Sequence, residues 1–286
     1  MRDNVLKLIG VDEKPKHVFT AAEEKILATM TSAKRVYYFQ QSYISFMFRS
    51  YDDTKVNVEK FLAGIANSSV ANLLVTQAFN AFYIGLASFW VARSSRGDED
   101  QWYKRGNESK LALRRWSETS KWTFENKWYL LEAEEAFCKG KFDDAKAYYE
   151  KAVTSAKTYK FVHEEALACE LAAYFYLEIG QVNKAAEYCL LAHEKYHFWG
   201  AIGKCTSLFK FFEGVLNERA GSGSSSAIDN AMHVVQSDLA HLLTKDSRLK
   251  NAQVRKRRVE ERSSENSPQR EPKEKDQHEL RLPSVI

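Results

Sequence analysis

The chain has 286 residues and a mass of 32.9 kDa, room for one large domain or two ordinary ones. A hydrophobic share of 44% supports a sizeable core, while only 4 prolines and 12 glycines exclude collagen-like and proline-rich chains and disfavour turn-rich all-β folds. Lys and Arg total 42 against 38 Asp and Glu, and the resulting +4 does not by itself point to a nucleic-acid partner.

The basic excess is local. Beyond residue 245 there are 11 Lys/Arg and 8 Asp/Glu, so the body of the chain is close to neutral and the tail carries most of the positive balance. Cys138, Cys169, Cys189 and Cys205 form no C-x-x-C pair, which leaves zinc ribbons and thioredoxin-like sites unsupported. The N-terminus has no apolar secretory core. Both features predict a reducing, cytoplasmic setting in which the four thiols are free and serve as small buried side chains.

Residues 1–20 are polar, contain Pro15 and read as an extended or frayed lead-in. From Ala21 onward the apolar spacing is helical. Helices are predicted over 21–50 (with one break), 54–68, 70–95, 99–119, 125–139, 142–157, 162–179, 182–197 and 200–219. No Asn-Gly or Asp-Gly turn joins alternating runs, so no β-hairpin is expected. The uncharged run Phe61–Ala92 has the length of a bilayer span, but Asn67, Asn72, Gln77 and Asn80 interrupt it. It reads as buried helix, with no membrane partner.

The composition changes at Gly221. Residues 221–226 form a Gly/Ser linker, and 227–244 an amphipathic helix with Ile228, Met232, Val235, Leu239 and Leu242 on one face. That face either folds back on the helical body or docks to a partner. Residues 245–286 are a charged tail expected to be disordered.

Short connections at Gly140-Lys141 and Gly180-Gln181 force their flanking helices to be antiparallel. Superposing Gly140 on Gly180, an offset of 40 residues, pairs Ala133 with Ala173, Ala136 with Tyr176, Ala145 with Ala185, Tyr149 with Cys189 and Ala152 with Ala192. Small residues let helices approach closely, and glycine permits the tight turn. The pattern resembles the tetratricopeptide repeat, a two-helix unit of about 34 residues, with lengthened helices or loops. Phe79, Phe82, Tyr83, Gly85, Leu86 and Trp90 with Trp102, Leu111, Leu113 and Trp116 mark a degraded hairpin upstream. Val36–Arg49 with Val56–Ala66 mark an earlier one, and Trp199, Ala201, Ile202, Leu208, Phe211 and Phe212 a closing helix. The expected fold is all-α: a tetratricopeptide-like superhelix of about four antiparallel hairpins plus a capping helix, over 21–220.

Three segments carry a more specific resemblance: Phe124–Glu134 (FENKWYLLEAE), His163–Ala172 (HEEALACELA), and Tyr196–Ala201 (YHFWGA) with Lys204. They resemble the tetratricopeptide-like arm of large signalling ATPases and hybrid histidine kinases, over about residues 35–215. The resemblance implies a non-catalytic scaffold or regulatory arm in intracellular signalling, with a protein or peptide partner such as a signalling ATPase or kinase. No G-x-x-x-x-G-K-[ST] loop is present and the residues that perform the family's catalysis are absent, so neither enzyme activity nor a cofactor is expected. At this length the chain is either a stand-alone arm or a piece of a longer protein.

If such a stack binds a peptide, the first helices of its repeats line the concave face. Positions equivalent to the usual contact sites are Lys127, Leu130, Glu134 and Phe137. The 40-residue offset carries these to Leu167, Glu170, Tyr174 and Leu177, of which Leu167 is the doubtful member because an apolar residue there can simply pack. The mixed charge does not resemble a basic clamp for a terminal carboxylate. The alternative is a closed, self-covered surface.

Several short motifs point to chemistry. His193-Glu194-Lys195-Tyr196-His197 is a literal H-E-x-x-H, a spacing that puts two imidazoles on one helical face with a glutamate as general base. A zinc hydrolase is therefore the enzymatic alternative, yet Gly203 stands where the extended pattern needs its third histidine, and no metal site is assigned. His278-Glu279-Leu280-Arg281-Leu282-Pro283 resembles the phosphoacceptor box of sensor kinases, but the residues before it offer no apolar dimerisation face. Arg255-Lys256-Arg257-Arg258 lacks interleaved aromatics and is followed by Glu260 and Glu261, as in a solvated segment.

Overall fold

The computed structural model describes residues 2–10, 31–66, 74–94 and 97–221. Ten helices account for most of them, and no strand occurs among the described residues. They are α1 (Arg2–Ile9), α2 (Thr31–Met47), α3 (Tyr51–Ala66), α4 (Leu74–Ser94), α5 (Glu99–Thr119), α6 (Lys121–Cys138), α7 (Phe142–Thr158), α8 (Val162–Glu178), α9 (Val182–Trp199) and α10 (Ile202–Gly221). The all-α reading holds among the described residues. Phe48–Ser50 form the turn between the first two predicted helices, while residues 21–30 of the first, where a break was expected along 21–50, lie outside the described residues. The rest of the 221–226 linker, the 227–244 helix and the 245–286 tail lie outside the described residues.

Helix ends repeat one device. Gly140 and Gly180 have φ of 68° and 79°, and each is followed by a bond from the next amide back to the last turn: Lys141 to the Ala136 carbonyl at 2.9 Å, Gln181 to the Tyr176 carbonyl at 2.8 Å. This left-handed cap satisfies carbonyls that the helix leaves open, and glycine adopts it without a Cβ clash. Gly200 does the same after α9, with φ of 87° and Ala201 bonded to the Tyr196 carbonyl at 2.9 Å.

The largest interfaces join consecutive helices: α2 with α3, α4 with α5, α6 with α7, and α8 with α9. These hairpins are then linked through α5–α6 and α7–α8, and their first helices meet in the series α2–α4–α6–α8. Every alanine of the 40-residue alignment is buried: Ala133, Ala152, Ala173 and Ala192 are completely so. Glycines allow the closest approaches between α4 and its neighbours. A Cβ on Gly106 would lie 2.7 Å from the Phe89 ring, and one on Gly85 would lie 2.8 Å from Ser109 and 3.0 Å from Leu131. Phe175 of α8 joins two hairpins, its ring 4.9 Å from that of Phe137, 5.2 Å from Tyr149 and 6.2 Å from Phe142.

Two features depart from the sequence reading. Arg2–Ile9 is a helix rather than an extended lead-in. It packs on α10, with Gly10 and Gly203 in close backbone contact and the Lys7 ammonium 4.5 Å from the Phe48 ring centroid, so tertiary contacts stabilise a helix too short to persist alone. The second departure is the α2–α3 turn, which reaches beyond its neighbouring hairpin to α8 and α10. Lys204 of α10 donates to the carbonyl of Met47, and Arg49 lies over Tyr174 of α8. Among the described residues no helix is long and apolar enough to cross a membrane.

Candidate functional site

The seven residues expected to contact a partner are all buried. Lys127, Leu130, Glu134, Phe137, Glu170, Tyr174 and Leu177 are between 1% and 7% exposed, and the doubtful Leu167 is 1% exposed. The side chains that would grip a partner are engaged within the chain, which fits the self-covered alternative rather than an open contact surface.

Their partners explain the burial. The Glu134 carboxylate accepts from Arg93 of α4 at 3.0 Å and from the Tyr149 hydroxyl of α7 at 2.5 Å. Glu170 accepts from Lys204 at 2.6 Å, from Tyr196 at 2.7 Å and from Tyr174 at 2.9 Å. Lys127 pairs with Glu164 at 2.7 Å, donates to the Thr123 carbonyl at 2.8 Å and sits 4.5 Å from the Phe161 ring centroid. The Phe137 ring lies 4.0 Å from the Arg93 guanidinium and packs edge-on to Phe175. Leu130 and Leu177 are core residues.

Burial sets the electrostatics of this network. It would lower the Arg93 guanidinium, but Glu134, Tyr149, Cys138 and Glu178 together outweigh it and hold the charge. Lys204 is lowered: the loss of water exceeds what Glu170 returns. The Tyr149, Tyr174 and Tyr196 hydroxyls are raised well above 10, first by burial and then by the adjacent glutamates, so each stays protonated and donates. Charge reversal at Glu134 or Glu170 would therefore strand buried cations; it cannot probe a surface.

A second acidic knot lies between α5 and α6. Burial alone would raise the Glu135 carboxyl, yet hydrogen bonds from Lys110, Tyr103 and Lys139 hold it at about 2 instead of 4.5. Because the folded value is depressed, its stabilisation is complete above pH 4.5 and is lost as pH falls toward 2. Thermal midpoints measured from pH 6 to 2.5 should fall more steeply below pH 4.5 in the native chain than in Glu135→Gln; parallel curves would contradict this assignment.

The H-E-x-x-H residues lie on α9. His193 is 3% exposed, its ring centroid is 6.4 Å from that of His197, and Glu194 is exposed beside Lys195 at 3.6 Å. Among the described residues, no group of three or more His, Cys, Asp or Glu side chains is arranged to hold a metal ion. A solvent-open cleft of about 470 Å³ runs along α6 and α7, lined by Glu125, Tyr129, Glu150, Lys151, Ser155 and Tyr159. Burial pushes the Cys138 thiol up to about 11 and Cys169 to about 12, which suits packing better than nucleophilic chemistry.

Sequence reasoning missed Arg49, Trp90 and Arg93 as partners of this face. One signal was available: Glu170 is the lone charge in Ala166–Leu177, an otherwise apolar stretch, where a carboxylate needs a buried cation. Comparison of the chain with family models, curated proteins and solved structures finds no match.

Proposed function

We propose that this chain is a non-catalytic protein-interaction module: a tetratricopeptide-like superhelix in which four antiparallel hairpins are closed by α10, acting as a scaffold or regulatory arm in intracellular signalling. The observation that carries the reading is the regular succession of hairpins. Consecutive helices pair, first helices stack in the order α2–α4–α6–α8, and the two best repeats share small-residue positions and the same left-handed glycine cap. Repeats of this kind stabilise one another through nearest-neighbour interfaces and present an extended face to partners. The family resemblance adds the expected partner class, a protein such as a signalling ATPase or kinase.

The test is capture from native lysate with the folded full-length chain as bait, followed by mass spectrometry. One protein retained in stoichiometric amount supports the proposal and identifies the pathway. A bait that shows a cooperative thermal transition yet retains nothing counts against it.

A further inference from the structure

Arg49 follows α2 in the left-handed conformation, with φ of 55°, at the position where α1, α6, α8 and α9 are followed by Gly10, Gly140, Gly180 and Gly200. The same cap forms there, Ser50 bonding to the Ser45 carbonyl at 2.9 Å, but a Cβ is disfavoured in this geometry. What the arginine gains is a place between rings. Its guanidinium carbon lies 3.8 Å from the centroid of Trp90 on α4, 4.5 Å from that of Tyr174 on α8 and 5.9 Å from that of Phe46. Burial weakens its charge, while Tyr174, Glu170 and Glu134 act to sustain it and Arg93 opposes it.

We infer that the face formed by α4, α6 and α8 carries a receptor site for an arginine side chain of a protein partner, and that Arg49 of the chain's own first hairpin fills it in this structure. The inference rests on the protein-binding reading above. A flat, weakly hydrated cation between two aromatic faces, with carboxylates behind, is the setting that selects arginine over lysine.

Three observations make the resident arginine replaceable. Its buried Nη1 has no hydrogen-bond acceptor, so the internal fit is incomplete. Its backbone adopts a conformation that an arginine on an extended peptide need not adopt. The first hairpin shares less interface with α4 than the later hairpins share with one another, and residues Phe48–Tyr51 are half-buried. A partner that supplies an arginine would thus displace the turn and open the face that holds Glu134, Glu170 and Tyr174.

The test uses the full-length chain, Arg49→Gly, and fluorescein-labelled peptides. Glycine removes the guanidinium and suits the local φ, so the turn itself is retained. One peptide has the sequence Ser45–Ser50; the other carries alanine in place of its arginine. By fluorescence anisotropy, Arg49→Gly should take up the arginine peptide roughly tenfold more tightly than the native chain does, with no such gain for the alanine peptide. A folded Arg49→Gly that binds both peptides alike, or neither better than the native chain, overturns the inference. So does loss of the thermal transition in both Arg49→Gly and Arg49→Asn, since Arg49 would then be a fixture of the fold. If the lysate partner is captured equally by the native chain and Arg49→Gly, the scaffold reading stands and this one falls.

Discussion

Glu170→Ala is expected to destabilise the protein by about 3–5 kcal/mol, the usual cost of stranding one member of a buried ion pair. Lys204 is 1% exposed, and its ammonium has two oxygen partners, the Glu170 carboxylate and the Met47 carbonyl. Removing the carboxylate also strips acceptors from the Tyr174 and Tyr196 hydroxyls, each a buried donor. Urea denaturation followed by circular dichroism measures the effect. The double variant Glu170→Leu/Lys204→Met should recover a substantial part of the loss, because an apolar pair leaves no charge uncompensated. A single-variant loss below about 1 kcal/mol would mean that the ammonium reaches water or releases its proton.

Phe175→Ala is expected to cost about 3–5 kcal/mol, the range for emptying a buried aromatic site. The ring is completely buried among Phe137, Phe142 and Tyr149 of the preceding hairpin and Tyr176 of its own helix. It is therefore a joint between hairpins rather than a support within one. In a stack held by nearest-neighbour interfaces, its removal should act unevenly. Amide exchange should accelerate in α8 and α9 well before α4 and α5. Uniform acceleration would show that the described helices open as a single unit and would weaken the repeat interpretation.

Much of the fold was legible because it is locally encoded. The α5 boundaries, 99 and 119, follow from its apolar period and flanking polar residues, and α7 and α8 end within one residue of expectation. Gly140 and Gly180 announce left-handed caps by residue type alone. The α1 helix was not legible, since eight residues with one weak apolar edge become helical only against α10. The site fared less well. The helical offset placed Glu134, Phe137, Glu170 and Tyr174 on a concave face open to a partner, whereas all four are buried against the chain's own side chains, because periodicity gives direction and says nothing of what lies opposite. The H-E-x-x-H spacing met the same limit, with His193 turned into the core beside Cys205, whose thiol donates to the His193 carbonyl at 3.6 Å.

Among the described residues, the sequence by itself determined the helical class, the position of nearly every turn and the small-residue seams, because each depends on neighbours three or four residues away and on the φ angles that glycine permits. Only the tertiary structure decided that the charged positions are internal. Glu134 meets Arg93 across 41 residues and Lys204 meets Met47 across 157. A charge on a helix face is a contact surface when water lies opposite and a structural pair when the chain's own cation does. That choice is set by the path of the whole chain, which brings the α2–α3 turn onto the face of α4, α6 and α8.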